Sequence, residues 1–430
     1  MRRQGRLSAF EFQPKRGNGD SNRLSIEDRP VHDWYRFVLS FPPHLVRDYL
    51  RRFGITEQHR VLDPFCGTGT TLVECKKLGI ASVGIEAHPV THFASLTKVD
   101  WSVDPYRLKT HAKKAAIEAE HAVETCKEPD YGLIGPEGFK LLLKDSISPR
   151  PLRKVLLLLE SINAQQHNPY RSHELLAFAK VLVFHASNLH FGPEVGVGKL
   201  KRDAEVVFPW LESIRIMCDD LKLNNHHSLV ESRVIRGDAR DRAADLEPQS
   251  IDAVITSPPY PNEKDYTRTT RLESVFLGFI RNRKELQAYK RELMRSNTRN
   301  VFKGDNDDLW VCTHPEINRL AEEIENRRLE LNKTSGFERL YANVAKLYFG
   351  GMARHMENLK CALRPGAKLA YVVGDQASYL RIMIRTGHLL ADIADSLGYE
   401  VLSIDLFRTR LSTATREQLR EEVVVLRWPG

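Results

Sequence analysis

The sequence contains no long apolar run and no closely spaced cysteines. No apolar stretch approaches the ~18 residues that a membrane-spanning helix needs, and the basic segment 1–20 lacks the apolar stretch of a signal peptide. The six cysteines lie far apart without a C-x-x-C pair, which argues against a disulfide framework or a cysteine-bound zinc ion. We therefore expect a soluble cytoplasmic protein with reduced thiols and no metal site.

Charge of both signs is abundant, with an excess of basic residues. The chain has 64 Lys and Arg against 56 Asp and Glu, a formal net charge of +8. Lys and Arg neutralise phosphates and release the counterions condensed on nucleic acids. The balance is compatible with a nucleic-acid partner, but it does not require one.

Seven short apolar runs predict the strands of an α/β fold. The first two enclose a glycine turn and a helical pattern, which together make a βαβ unit. The runs occupy residues 59–65, 81–89, 232–239, 251–260, 367–375, 400–408 and 421–428.

Two mainly helical stretches interrupt this pattern and lead to a division into one sheet domain with insertions. We expect the second insertion to be strongly charged and basic, and the N-terminal segment to be a mobile basic arm. The predicted units are the arm 1–30, the catalytic domain 31–99, 231–280 and 346–430, and the helical insertions 100–230 and 281–345.

The turn after the first run, within "VLDPFCGTGTTLVEC" (61–75), indicates a binding site for a nucleoside. Gly67 and Gly69 allow a ligand to approach the backbone closely, and the N-terminus of the following helix favours an anionic group. The turn lacks the lysine of a phosphate-binding P-loop and does not match G-x-G-x-x-G. A nucleoside that carries a carboxylate suits it better than a chain of phosphates.

Acidic residues follow the next strands. Glu86 ends the second run, where a carboxylate can accept hydrogen bonds from ribose hydroxyls, and Asp238 follows a later strand, where it could accept from an adenine amino group. The alternative is a tight turn with solvated acids.

The segment "TSPPY" (256–260) also follows a predicted strand. Ser257 Oγ and the Pro258 carbonyl are hydrogen-bond acceptors, and Tyr260 offers a flat ring, but no strong base is present. Such a set suits the exocyclic amine of a nucleobase extruded from a duplex. A proline-rich turn that closes a strand is the alternative.

Together, "DPFCGTGTT" and "TSPPY" resemble the cofactor and catalytic motifs of the S-adenosyl-L-methionine (AdoMet)-dependent amino-methyltransferases of DNA, which act on cytosine N4 or adenine N6. The pair Asp265 and Tyr266 resembles the "DY" that often follows the catalytic motif. The segment "SFPPHLVRDYL" (40–50) resembles the helix that completes the methionine pocket.

The resemblance implies a Rossmann-like methyltransferase sheet, mostly parallel, with an antiparallel C-terminal hairpin and helical insertions. It also implies direct in-line transfer of the AdoMet methyl group, without a metal or a covalent enzyme–base intermediate. The residues that it assigns to cofactor binding are Asp63, Phe65, Gly67, Gly69, Thr70, Glu86 and Asp238. Those that it assigns to the target amine and base are Ser257, Pro258, Pro259 and Tyr260.

Serine at the first position of the catalytic motif is typical of cytosine-N4 enzymes, whereas Asp or Asn is typical of adenine-N6 enzymes. The glycine loop precedes the catalytic motif here, which is not the order commonest among serine-bearing members. We expect cytosine-N4 methylation of double-stranded DNA. The alternatives are adenine-N6 methylation, methylation of RNA or of a protein glutamine, and a nucleic-acid-binding subunit without activity.

The insertions are candidates for reading the target. Residues 281–306 are basic, and residues 188–206 predict a loop with glycines, an aromatic residue and basic residues. Each could contact DNA or lie on a solvated surface. Whether a companion restriction or defence protein works with the chain stays open.

Overall fold

The computed structural model describes residues 24–37, 40–164, 168–192, 194–241, 245–262, 264–411 and 417–430. Most of the predicted N-terminal arm lies outside these residues. No helix in the described ranges is long and apolar enough to cross a membrane.

The strands follow the predicted apolar runs, with one additional short pair. They are β1 (Arg60–Asp63), β2 (Ala81–Glu86), β3 (Leu189–Phe191), β4 (Val195–Val197), β5 (Ser232–Arg236), β6 (Ile251–Thr256), β7 (Leu363–Gly374), β8 (Glu400–Leu411) and β9 (Gln418–Arg427).

Seven of these strands form one sheet in the order β5-β2-β1-β6-β7-β9-β8. The first five in this order are parallel, and β9 lies antiparallel between β7 and β8. The predicted fold class, including the reversed C-terminal hairpin, is confirmed. The chain order reverses between β1 and β6, and open α/β sheets bind ligands beyond the carboxyl ends of the strands at such a point.

Several helices begin at a proline in the first turn, where the missing N–H would have had no partner within the helix. The helices are α1 (Pro43–Phe53), α2 (Thr70–Lys77), α3 (Pro89–Val99), α4 (Pro105–Glu124), α5 (Gly135–Leu141), α6 (Pro149–Asn163), α7 (Arg171–Val181), α8 (Val207–Asn224), α9 (Tyr266–Thr269), α10 (Arg271–Phe276), α11 (Arg283–Glu292), α12 (Pro315–Glu330), α13 (Tyr341–Leu359) and α14 (Thr386–Ser396).

The first insertion shares its apolar core with the sheet domain. Trp210 of α8 and Leu158 of α6 belong to the same buried cluster as Leu72 and Val73 of α2. A second cluster, which includes Tyr348 and Met352 of α13, packs on the sheet. Because one core joins the insertion to α2, the insertion supports the helix that follows the glycine loop.

The sequence predicts a loop over residues 188–206, but part of this segment forms two short strands. Strands β3 and β4 form an antiparallel hairpin in which Leu189 pairs with Val197 and Phe191 with Val195. Strands of three residues are too short to show a clear alternation of polar and apolar side chains, so the sequence does not indicate them.

Candidate active site

A cavity of about 790 Å³ opens at the carboxyl edge of the sheet. It brings together residues from both sequence motifs, which lie far apart in the chain. Of the predicted site residues, those that line it are Phe65, Gly67, Thr70, Glu86, Asp238, Ser257, Pro258, Pro259 and Tyr260. Asp63 and Gly69 lie behind this lining.

The glycine loop needs both of its glycines, for different reasons. Gly67 has φ +52° and Gly69 has φ +84°, a region that other residues rarely adopt. A Cβ on Gly69 would also lie 3.0 Å from Ser95 Cβ, whereas a Cβ on Gly67 would meet nothing within 4 Å. Gly67 therefore leaves an open approach from the cavity, and Gly69 allows the loop to pack on α3.

Glu86 shapes the loop from the end of β2. Its Oε2 accepts a hydrogen bond from the Gly67 N–H at 2.8 Å, and its Oε1 accepts from the His88 N–H at 2.7 Å. Burial raises the pKa of this carboxyl group. Each carboxylate oxygen has a further acceptor position, so Glu86 can hold the loop and still accept from a ligand hydroxyl.

Asp63 is completely buried at the end of β1. Its Oδ1 accepts from Thr256 Oγ1 at 2.6 Å and from the Phe65 N–H at 3.2 Å. Burial raises the pKa of its carboxyl group to about 7. The structure therefore places Asp63 beneath the loop, where it supports the loop and joins β1 to β6.

Asp238 lines the cavity and is oriented by Arg240, which sequence reasoning did not identify. Arg240 Nε lies 3.0 Å and 2.9 Å from the two carboxylate oxygens, and Arg240 also pairs with Asp307 from the second insertion. The guanidinium fixes the carboxylate from behind, as bidentate Arg–carboxylate pairs do.

The catalytic motif follows directly on β6. Ser257 Oγ donates to the carbonyl oxygen of Val372 on β7 at 3.0 Å. The ring of Tyr260 lies so close to Gly374 that a Cβ there would be 3.0 Å from the ring. Burial raises the pKa of Tyr260, which keeps its phenol neutral. The motif thus presents a fixed hydroxyl beside an aromatic ring.

The remaining predicted segments also reach the cavity. Ser40 and Phe41 line it, and Ser40 Oγ lies 3.4 Å from Thr68 Oγ1 in the glycine loop. Tyr266 lines it too, with its ring centroid 5.9 Å from that of Phe37. The segment that resembles the methionine-pocket helix therefore begins beside the glycine loop.

Comparison with known proteins agrees with this arrangement. The family model described as DNA methylase matches residues 12–94. The type II methyltransferase M.BsoBI of Geobacillus stearothermophilus is 25% identical over 446 residues, covering 93% of this chain and 85% of that protein. M.AvaI of Nostoc sp. is 24% identical over 445 residues, covering 94% and 87%. The chain is therefore similar to DNA methyltransferases along most of its length.

Solved structures add little to this assignment. TrmN from Thermus thermophilus matches with a TM-score of 0.32 and 11% identity, covering 93% of this chain and 52% of that one. This likeness is too weak to support an argument.

The residues around the glycine loop fit the AdoMet that amino-methyltransferases use. Gly67 leaves open space, Glu86 offers carboxylate acceptors, and the N-terminus of α2 favours the carboxylate of the cofactor. His88 Nδ1 is buried at the same cavity without a hydrogen-bond partner among the described residues. An unpartnered buried nitrogen costs free energy unless a ligand satisfies it.

The same cavity also contains polar residues that no motif predicts. Asn300 is 1% exposed, and its Oδ1 has no partner within the described part of the chain. It belongs to the buried polar segment Arg295–Asn300 of the second insertion, which bonds to the residues after the catalytic motif. The Asn262 N–H donates to the Ser296 carbonyl oxygen at 2.9 Å. Neither spacing nor composition distinguishes Asn300 from a surface residue.

Within the described ranges, no group of three or more His, Cys, Asp or Glu side chains is placed so that it could hold a metal ion.

Proposed function

We propose that the protein is a site-specific DNA methyltransferase that transfers the methyl group of AdoMet to the exocyclic N4 amine of a cytosine extruded from double-stranded DNA. Similarity to DNA methyltransferases, together with the two motifs that resemble those of the amino-methyltransferases, supports methylation of DNA at an amine. The relatives M.BsoBI and M.AvaI are type II methyltransferases, which supports action at a defined DNA site within a restriction-modification system.

The hydrogen bond from Ser257 to Val372 is the observation that carries this proposal. The single proton of the Ser257 hydroxyl is directed to a carbonyl oxygen 3.0 Å away. The lone pairs of Ser257 Oγ are therefore available as acceptors. With the Pro258 carbonyl beside it, the motif can accept both N–H groups of one exocyclic amine.

Holding both amine hydrogens changes the nitrogen itself. The lone pair of an exocyclic amine is delocalised into the base, which makes the amine a weak nucleophile. Two acceptors placed outside the plane of the base favour a more tetrahedral nitrogen, whose lone pair is then available for bond formation. Catalysis by this chain would therefore come from positioning and fixed dipoles.

The base itself needs a flat surface after extrusion. Tyr260 provides the face of a ring whose position is set by its contact with Gly374. Stacking on an aromatic side chain is how proteins commonly hold an unstacked base. Serine rather than Asp or Asn at the first position of the motif supports cytosine over adenine.

AdoMet would supply the activated methyl group. Phe65, Gly67, Thr70, Glu86 and Asp238 would hold it on the β1–β2–β5 side of the cavity, whereas Ser257 and Tyr260 would hold the target on the β6–β7 side.

Labelled methyl groups test the proposal directly. The purified protein is incubated with methyl-labelled AdoMet and unmethylated genomic DNA, and the DNA is digested to nucleosides. We expect the label in N4-methylcytosine and its loss with Ser257→Ala. Label in N6-methyladenine would overturn the choice of base, and unlabelled DNA with a protein that binds AdoMet would overturn DNA as the substrate.

A further inference from the structure

Three cations line the part of the cavity nearest the C-terminal hairpin. They are Lys264, which follows the catalytic motif, and Arg408 and Arg410 of β8. One carboxylate, Glu421 of β9, serves both arginines. Its oxygens lie 2.6 Å and 2.8 Å from Arg408 nitrogens and 3.5 Å from Arg410 Nε. This corner therefore carries more positive than negative charge.

The other acidic residues of the cavity do not balance this charge. Glu194 pairs with Arg268 at 3.4 Å, and Glu292 pairs with Arg236 at 3.0 Å. Asp238 is held by Arg240, and Glu86 accepts from backbone N–H groups. Each of these carboxylates has its own partner away from the corner.

Lys264 differs from the two arginines because its ammonium group has no ion-pair partner among the described residues. No carboxylate among the described residues lies within ion-pair distance of its ammonium group. Burial lowers the pKa of Lys264, the neighbouring charge of Arg410 lowers it further, and Glu421 raises it. A half-buried ammonium beside a guanidinium is unfavourable unless an anion accompanies them.

The backbone holds Lys264 in this place. Its N–H donates to Asn262 Oδ1 at 2.9 Å, and its carbonyl accepts from Asn297 Nδ2 at 3.1 Å. Both partners are almost completely buried. The lysine is therefore built into the wall of the cavity beside the catalytic motif, unlike a lysine on a solvated surface.

We propose that Lys264 and Arg410 bind a backbone phosphate next to the target nucleotide, and so hold the strand from which the base is extruded. This inference rests on the proposed function, since it names a contact to the same DNA substrate. A phosphodiester supplies the anion that the corner lacks. The carboxylate of AdoMet is the less suitable anion, because the groups that fit AdoMet lie on the β1–β2–β5 side of the sheet.

The first experiment measures binding of a fluorescently labelled DNA duplex as a function of NaCl concentration. The variants are Lys264→Met and Arg410→Met. Lys360→Met is the control, because Lys360 precedes β7 at the opposite edge of the sheet and pairs with Glu357. Loss of one phosphate contact makes the slope of log K against log[salt] shallower by about 1.

We expect Lys264→Met and Arg410→Met each to weaken DNA binding and to reduce the slope, with AdoMet affinity unchanged. Lys360→Met keeps the wild-type slope. Unchanged slopes for both cavity variants would overturn the phosphate site, and weaker AdoMet binding in the absence of DNA would assign the corner to the cofactor carboxylate. Arg410 is exposed, so its variant keeps the test decisive if Lys264→Met misfolds.

The second experiment removes the charge from the DNA. Neutral methylphosphonate linkages are placed one at a time around the mapped methylation site. At one position the modification should weaken binding by the wild type and have little further effect on Lys264→Met. Equal effects on both proteins at every position would contradict the proposal. A wild type that methylates adenine would overturn the cytosine assignment and leave this test of the phosphate intact.

Discussion

Thr256 Oγ1 donates a 2.6 Å hydrogen bond to Oδ1 of Asp63. The bond joins the end of β6, which carries the catalytic motif, to the end of β1, which carries the glycine loop. Since β1 and β6 are adjacent and parallel, the two motifs are placed at one edge of the sheet, and Asp63 links them from below. Asp63, which the family resemblance assigns to cofactor binding, therefore supports the glycine loop from below.

Asp63→Asn should keep the hydrogen bond from Thr256 and remove one source of the pH dependence of protein stability. Burial raises the pKa of Asp63 to about 7, so its contribution to stability is fully present below the unfolded pKa near 4 and is lost as the pH rises through about 7. We expect the variant to become more stable relative to the wild type between pH 5 and 9, by on the order of 3 kcal/mol. Urea midpoints across this range measure the effect.

Asp63→Ala provides the contrast, because it removes the acceptor for Thr256 and leaves a small cavity. It should be destabilised at every pH in the same series. Parallel pH profiles for the wild type and Asp63→Asn would show that Asp63 does not titrate in this range.

Ser257→Ala and Glu86→Ala should separate the two halves of the site. If Ser257 Oγ accepts from the target amine as proposed, Ser257→Ala should lower methyl transfer by about 10² or more with little change in AdoMet affinity. Without Glu86 the Gly67 N–H loses its partner, and AdoMet binding should weaken much more than the rate at saturating AdoMet.

Initial rates with labelled AdoMet and calorimetric titration of AdoMet measure both quantities. Ser335→Ala, at an exposed position in the second insertion, serves as the control. Equal loss of cofactor binding in both site variants would show that the division of the cavity is wrong.

The sheet and the position of both motifs at its edge could be predicted because the sequence patterns that indicate them are local. The apolar runs of β1, β2 and β6 end at residues whose chemistry differs sharply from that of the strand. Parallel strands place such ends together, so Gly67, Glu86 and Ser257 could be expected at one edge. Their roles in binding AdoMet and the target base are what the family resemblance implies.

The rest of the cavity depends on contacts between distant segments. Asp307 and Asn300 come from the second insertion, and Arg410 comes from the C-terminal hairpin. Each is one polar residue among many, with no motif around it. Their placement follows from how the insertion packs on α13 and on the residues after the catalytic motif, which sequence periodicity does not encode.

Lys98→Met should change how stability depends on pH above neutrality. Lys98 is fully buried, its Nζ donates to the His32 carbonyl oxygen at 3.1 Å, and burial lowers its pKa to about 7. The unfolded chain therefore binds more protons between pH 7 and about 10.5, so this group makes the wild type more stable as the pH rises.

We expect the melting temperature of the wild type to rise relative to that of Lys98→Met from pH 7 to 9.5. Lys113→Met, at an exposed position on α4, should run parallel to the wild type. A difference between Lys98→Met and the wild type that stays constant with pH would contradict the lowered pKa.

Asn300→Leu should stabilise the protein or leave its stability unchanged while it impairs the reaction. The unpartnered Oδ1 of Asn300 costs about 1–3 kcal/mol in the unliganded protein, and leucine of similar size removes that cost. If the amide bonds to a ligand in the cavity, methyl transfer falls at the same time. A higher melting temperature with a lower kcat/KM is the sign of a binding residue.

Asn224→Leu is the matched control, because Asn224 is also buried but donates to the Asp220 carbonyl oxygen at 2.7 Å, outside the cavity. It should destabilise the protein and leave the kinetics of the folded enzyme unchanged. For Asn300→Leu, a higher KM for DNA with unchanged AdoMet affinity would assign the amide to the target base, and the reverse would assign it to the cofactor. Full activity would show that Oδ1 contacts neither, because removing a buried partner of either ligand must weaken its binding.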